Sequence, residues 1–350
     1  MIAFWTLLVF VVGLNVGSFL NVAIARLPKD KSLFWPNSRC GSCHAAIRWS
    51  DNIPILGYLL LRGRCRYCGA TFSVRYLLVE LATGLGFVGL FYAELVYNVH
   101  GWPTNFPLIR QGWYPCELWV GYAYHAVLFS LLMAVSVTDL ECREIPLRLT
   151  LFGTMIGLAG SLLMPWPWPR LAVPVVPRPG QIFPWMEPIL EGVQSWPFWW
   201  LLPDFCAPGG NWLTGLLTSF AGIVVGTMLL RVIGGVFGFG LGKEALGLGD
   251  ADLMMMAGSF LGWQIVVAGF FLAIGPALVF GAINLVFRRD NSLPFGPSLA
   301  VGLLAAMLGW RWIGPHFQAL FFWWPMLAGL AAVMVVFLFI SSVILGRRTR

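Results

Sequence analysis

Hydrophobic positions run continuously along most of this chain instead of alternating with polar ones. Residues 3–25 form a first apolar run, broken only by the polar Asn15 and Asn21. Further runs cover about 76–98, 118–138, 147–164, 212–233, 251–262, 265–287, 295–310 and 322–345. A membrane-spanning helix needs about 20 predominantly apolar residues. Eight of the nine stretches approach that length. The 251–262 piece is short, because 12 residues rise only about 18 Å against a hydrocarbon core of roughly 30 Å. The pattern predicts an all-α polytopic membrane protein with eight or nine transmembrane helices. Unbroken apolar runs exclude a membrane β-barrel, whose strands alternate.

Composition agrees. Hydrophobic residues make up 59% and charged residues 11% of the 350, against about 25% charged in soluble domains, and the mean hydropathy is +0.79. Ala23-Ile24-Ala25 has the look of a signal-peptidase site, but no basic residue precedes the first run, so 1–25 reads as a retained helix. The net charge of +7 lies near membrane ends, which fits anchoring to the lipid surface and not nucleic-acid binding. The polar stretch Arg26 to Arg75 carries nine Lys or Arg against Asp30 and Asp51. The positive-inside rule places it in the cytoplasm and the N-terminus outside. Alternation then puts the Trp/Pro-rich stretch 165–210 outside. Counting the short piece as a span brings both Arg288-Arg289 and the basic tail 347–350 inside. Gly234 to Gly242 reads as a flexible segment at the membrane edge.

Within the cytoplasmic stretch, Cys40-Gly-Ser-Cys43 and Cys65-Arg-Tyr-Cys68 stand 21 residues apart. Two such knuckles supply the corners of a tetrahedron, the pattern of a structural zinc site. Disulfides or free thiols are the other reading, although the compartment is a reducing one. His44 could replace one ligand. A loop of this size has little core of its own, so a small zinc-ribbon-like domain over 26–75 would depend on the metal. Cys116, Cys142 and Cys206 are scattered and read as packing residues.

Two carboxylates stand at the same cytoplasmic edge: Asp139 at the end of the third span, and Asp250 after Gly247-Leu248-Gly249. Either alone could be a solvated helix-end acid, and Asp250 could cap a helix. As a pair beside apolar spans they are candidates for function. Two carboxylates within a few ångström share a proton, one acting as base toward water and the other as acid toward a scissile carbonyl. Gly247 and Gly249 would let the backbone approach closely. No H-E-x-x-H, G-x-S-x-G or phosphate-loop motif occurs, and the four histidines are isolated in sequence.

Taken in order, these residues resemble the bacterial type IV prepilin peptidase / N-methyltransferase family, of the GxGD membrane aspartic peptidases. The resemblance runs through Gly17-Ser18-Phe19-Leu20-Asn21-Val22, Arg26-Leu27-Pro28, the four cysteines, Trp49, Asn52-Ile53-Pro54, Leu61-Arg62-Gly63-Arg64 and Tyr76 to Glu80. It continues through Asp139, Ile145-Pro146, Leu149-Thr150, Gly247 to Asp250 and Pro294-Phe295-Gly296-Pro297. It implies an aspartic endopeptidase in the bacterial inner membrane with its active site at the cytoplasmic face. Asp139 and Asp250 match the catalytic pair, and cleavage follows a glycine in prepilin or pseudopilin substrates with a basic leader and a hydrophobic helix. It also implies methylation of the new N-terminus with S-adenosylmethionine, an activity associated with the cysteine loop. Residues 76–346 would form the peptidase domain. Leader recognition would draw on Asp30, Glu141 or Glu144, or on anionic membrane lipid. Two residues after the motif aspartate the family commonly has Lys, and this chain has Asp252. A reading of a different class is a zinc-ribbon membrane transport or assembly protein whose two aspartates bind a cation or proton.

Overall fold

A computed structural model describes residues 1–35, 37–100, 112, 114, 116–163, 212–241, 247–287, 294–322, 328–336 and 339. The Trp/Pro-rich stretch, the basic tail, Arg288-Arg289 and Cys206 lie outside the described residues. So does part of the last apolar run, of which 328–336 is helical. Among the described residues there are helices and two isolated β-bridges but no strand. Five helices are long and apolar enough to cross a membrane, and a shorter apolar one covers Leu147–Leu162. The chain divides into two compact units, Met1–Asn98 with Thr104–Leu149, and Val99–Pro103 with Thr150–Arg350.

In the first unit, α1 (Ile2–Arg26) packs on α3 (Arg75–Phe91), which runs on as a π-helical turn over Tyr92–Val96, and on α4 (Cys116–Cys142). Lipid tails are as apolar as leucine, so such helices associate through close van der Waals fit at small residues. Gly13 and Gly17 provide it. A Cβ at Gly13 would stand 2.9 Å from the Gly84 Cα, and one at Gly17 would stand 2.8 Å from the Glu80 Cα. Phe4, Leu7, Leu8, Val11 and Val12 on the same helix are exposed, as an apolar face toward lipid requires. Between α1 and α3 lie the cysteine loop and the short helix α2 (Leu56–Leu60).

In the second unit, α6 (Trp212–Leu241) packs on α7 (Leu248–Phe287), and α7 on α8 (Gly296–Phe322). The contacts are again between glycines. A Cβ at Gly222 would meet the Gly258 carbonyl oxygen at 2.1 Å, and one at Gly302 the Gly269 carbonyl oxygen at 2.3 Å. Ser219 donates to the Ser259 carbonyl at 2.8 Å across the same seam. Helix α5 covers Leu147–Leu163, its first three residues falling in the first unit and the rest in the second.

Several boundaries differ from the hydropathy pattern. The third span extends past Thr138 to Cys142, where Arg143 at φ 56° closes the helix. The glycine-rich 234–241 is helical, because the helix ladder of α6 continues through it. The short and long pieces at 251–262 and 265–287 form one element interrupted at Gly262, whose φ of 74° and ψ of 170° only glycine adopts readily. Cys116 and Cys142 are exposed, not packed.

Candidate functional site

The cysteine loop is built from one motif used twice. Arg39-Cys40-x-x-Cys43-His44-Ala45-Ala46 and Arg64-Cys65-x-x-Cys68-Gly69-Ala70-Thr71 make the same hydrogen bonds. Cys40 N–H donates to the Ala45 carbonyl and His44 N–H to the Cys40 carbonyl, at 2.9 and 3.0 Å. Cys65 N–H donates to Ala70 and Gly69 N–H to Cys65, at 2.8 and 2.9 Å. Bridges Arg39 to Ala46 and Arg64 to Thr71 close the two knuckles. After the second cysteine of each, the chain turns left-handed, at His44 with φ 56° and at Gly69 with φ 70°. His44 therefore occupies a turn position, equivalent to a glycine.

The fold brings all four sulfurs together within 4.8 Å of one another. Cys40 Sγ lies 3.7 Å from Cys68 Sγ, and Cys43 Sγ lies 3.9 Å from Cys65 Sγ. A tetrahedron with zinc–sulfur bonds of about 2.3 Å has edges of about 3.8 Å, so the cluster is compatible with a zinc ion. Its electrostatics point the same way. Backbone N–H groups of Cys43 and Ser42 hold the Cys40 thiolate and lower its pKa to about 6. At Cys68 the Ala70 N–H also lowers it, but the neighbouring thiols and burial outweigh that and push it up to about 11. Four crowded thiols cannot all ionise without a cation among them. Little else holds the loop. Arg66 forks onto the Asp51 carboxylate, with Nε to Oδ2 at 2.8 Å, and this bond first of all holds Asp51 below the usual carboxylate range. Arg48 donates from Nε to the Tyr67 hydroxyl at 3.1 Å.

Between this loop and helices α1 and α3 lies a cavity of about 250 Å³. Pro54, Ile55 and Leu56 form a γ-turn there. Leu56 N–H donates to the Pro54 carbonyl at 2.6 Å, with Ile55 at φ 60° and ψ −54°. This conformation is rare and strained for a β-branched residue, at a cost on the order of 1–3 kcal/mol. Its effect is to aim the Ile55 N–H at Glu80, whose Oε2 accepts at 2.7 Å. Glu80 is 8% exposed although it sits in a membrane-spanning helix. In the sequence Asn21 stands out only as a polar break in the first apolar run, and Glu80 only within the resemblance. The signal was available: a carboxylate and an amide inside apolar runs are costly unless used. A second buried pair also escapes a reading of the sequence. His125 Nδ1 lies 2.8 Å from Glu94 Oε1, so His125 is not isolated.

The candidate aspartates belong to different units. Asp139 is the last buried residue of α4, 7% exposed, and residues 140–144 are exposed. Its carbonyl accepts from the Arg143 N–H at 2.9 Å. At the same end of this unit Glu141 pairs with Arg75, and Asp30 pairs with Arg148 at 3.1 Å. Two of the three acids considered for leader recognition are thus already paired, while Glu144 is exposed. Asp250 is the third residue of α7, which starts at Leu248, three residues earlier than a capping role would need. It is half-buried, and its N–H donates to the Gly247 carbonyl at 3.2 Å. A Cβ at Gly247 would touch Asp250 Oδ2 at 3.7 Å, so the glycine leaves space beside that carboxylate. Gly249 precedes Asp250 within the same first turn. Asp252, two residues further along α7, is also half-buried.

Multi-pass helices and a four-cysteine loop carried on the first of them define a polytopic membrane protein with a four-cysteine head compatible with a metal ion. The Bacterial Peptidase A24 N-terminal domain matches over residues 11–94. A prepilin leader peptidase/N-methyltransferase of Myxococcus xanthus is 33% identical over 79% of this chain and 62% of its own length. One of Pectobacterium carotovorum subsp. carotovorum is 30% identical over 87% of this chain and 94% of its own length. A type 4 prepilin-like proteins leader peptide-processing enzyme of Escherichia coli O78:H11 is 29% identical over 88% and 93%. No solved structure matches the chain. The chain belongs to the prepilin leader peptidase/N-methyltransferase family.

Proposed function

We propose that this protein cleaves the leader of type IV prepilin-like proteins and then methylates the new N-terminus. The observation that carries the reading is the match along 94% of the Pectobacterium relative's length. The relatives' names favour it over transport or assembly. Asp139 and Asp250 form the peptidase pair at the cytoplasmic membrane face, with the N-terminus of the chain outside. One carboxylate takes a proton from water as that water attacks the carbonyl of the leader's glycine, and the other gives its proton to the carbonyl oxygen. The intermediate collapses as the first carboxyl passes its proton to the leaving nitrogen, which departs as the new amine. S-adenosylmethionine supplies the methyl group when bound. The chain's own task in that step is to hold the amine and accept its proton. Cys40, Cys43, Cys65 and Cys68 bind one structural zinc that gives the loop its fold.

Leader cleavage by purified protein in liposomes tests the assignment. Asp139→Asn and Asp250→Asn should each abolish cleavage while the protein still inserts, because an amide cannot carry the shared proton. Near-normal processing by either variant would refute the pair. Metal analysis should find about one zinc per chain. Finding no zinc, with all four thiols open to alkylation, would refute the metal assignment.

A further inference from the structure

The cavity under the knuckles contains a buried carboxylate whose partners carry no charge. Glu80 accepts from the Ile55 N–H, a neutral donor, and the nearby Ser18 hydroxyl is neutral too. Buried carboxylates are ordinarily matched by a cation. On the same wall Asn21 is 2% exposed. Its Nδ2 donates to the Tyr76 carbonyl at 3.0 Å, which fixes the amide's orientation. Its Oδ1 is therefore the acceptor left over, and it is buried with no hydrogen-bond partner. Of the other charged residues around the cavity, Arg26 donates to the Ser32 and Leu33 carbonyls and Asp51 is held by Arg66. Arg39 belongs to the first knuckle. A water molecule would satisfy Asn21 but would leave the charge of Glu80 uncompensated.

We propose that Glu80 and Asn21 bind a primary ammonium group in this cavity, as the amine-holding site of the methylation step. The three donors of an ammonium suit a carboxylate oxygen and an amide oxygen together. Two molecules could bring it: the processed substrate, through its newly freed N-terminus, or S-adenosylmethionine, through its amino-acid end. The inference rests on the methyltransferase reading above, and it assigns that activity a place and two binding residues.

The test uses the full-length protein in detergent micelles and measures equilibrium binding. The probes are a fluorescent peptide beginning at the processed N-terminus, its N-acetylated form, and S-adenosylhomocysteine. If the ammonium is the substrate's, wild type should prefer the free amine by about tenfold or more, equivalent to about 1.4 kcal/mol. Glu80→Gln then erases that preference and Asn21→Ala weakens it, with S-adenosylhomocysteine binding unchanged. If it is the donor's, the same variants weaken S-adenosylhomocysteine binding by a similar factor and the peptide arm stays flat. Either result supports the site. Wild-type affinity of both variants for both ligands overturns it, as does protonation of Glu80 as the sole means of neutralising the charge, which would also leave both arms flat. Zinc content and leader cleavage report folding of each variant. Should Glu80→Gln misfold, Glu80→Asp, which keeps the charge, and Asn21→Ala decide in its place: both must alter one arm, or the site is rejected. A wild type that shows the amine preference yet neither cleaves nor methylates would refute the proposed function and leave the site standing. An active wild type in which neither peptide binding nor S-adenosylhomocysteine binding depends on Glu80 and Asn21 would do the opposite.

Discussion

The equivalence of the two knuckles can be tested at the residue following each second cysteine. Gly69 sits at φ 70°, and a Cβ built on it would find nothing within 4 Å. Gly69→Ala therefore adds no clash, and its cost is purely conformational. Holding alanine in the left-handed region costs about 1–2 kcal/mol. Restricting the unfolded chain returns about 0.4–1 kcal/mol. The net is a loss of about 1 kcal/mol, and because metal binding and loop folding are coupled, zinc affinity should fall about fivefold. His44, at φ 56°, is the mirror case. His44→Gly relieves the strain and adds unfolded-chain entropy of about 0.5–1 kcal/mol, so the affinity should move by less than about threefold. Competition with a chromophoric chelator on the solubilised protein reads both values. A loss of about a hundredfold in His44→Gly would make His44 a ligand. An unchanged affinity in Gly69→Ala would refute the argument that turn geometry limits the loop.

Three further outcomes follow from the geometry. Asp252→Asn should keep most leader cleavage, since residues two apart on a helix point about 200° away from each other, whereas Asp250→Asn should not; the reverse ranking in a side-by-side assay would transfer the catalytic role. The carboxyl of Asp51 is held low by Arg66, so the pair's contribution is present above the ordinary carboxylate pKa of about 3.9 and is lost as pH falls through the depressed folded value. Arg66→Gln should move the acid loss of hydrogen-exchange protection over residues 48–68 to higher pH, and an unmoved acid limb would show the pair to be idle. Gly57→Ala would bring a Cβ to 2.1 Å from the Asp51 carbonyl oxygen; the turn at Ile55 should be displaced and methylation lost with leader cleavage largely retained, and a variant with normal methylation would disconnect that turn from the activity.

How much could be read from the chain alone depended on the range of each interaction. Spans were legible because burial in lipid is set by about 20 consecutive residues. The four cysteines were legible because their ligand geometry is local within each knuckle. The ends of spans were not. The helix through 234–241 and the interruption at Gly262 are decided by backbone hydrogen bonding and by neighbours such as Thr218, whose Cγ2 stands 2.8 Å from where a Gly262 Cβ would be. Glu80 and Asn21 stood in the sequence as two polar residues in separate apolar runs. Their common cavity arises only when Gly17 lets α1 close on α3. His125 and Glu94 are 31 residues apart, and nothing in spacing marks them as partners.

The glycine seams also divide the helices into positions that can and cannot drift during evolution. At Gly13, Gly17, Gly222 and Gly302 the partner backbone occupies the space a methyl group would need, so no larger residue can be accepted without a compensating change on the opposite helix. Such paired changes are slow to arise. On the opposite face of α1, Leu7, Leu8, Val11 and Val12 face outward, where lipid fits any apolar shape and exchanges among Leu, Val, Ile and Phe are nearly neutral. Relatives of this chain should therefore differ mostly by shuffling side chains on the lipid side. Helix spacing, and with it the position of Glu80 against the knuckle loop, should be inherited almost unchanged.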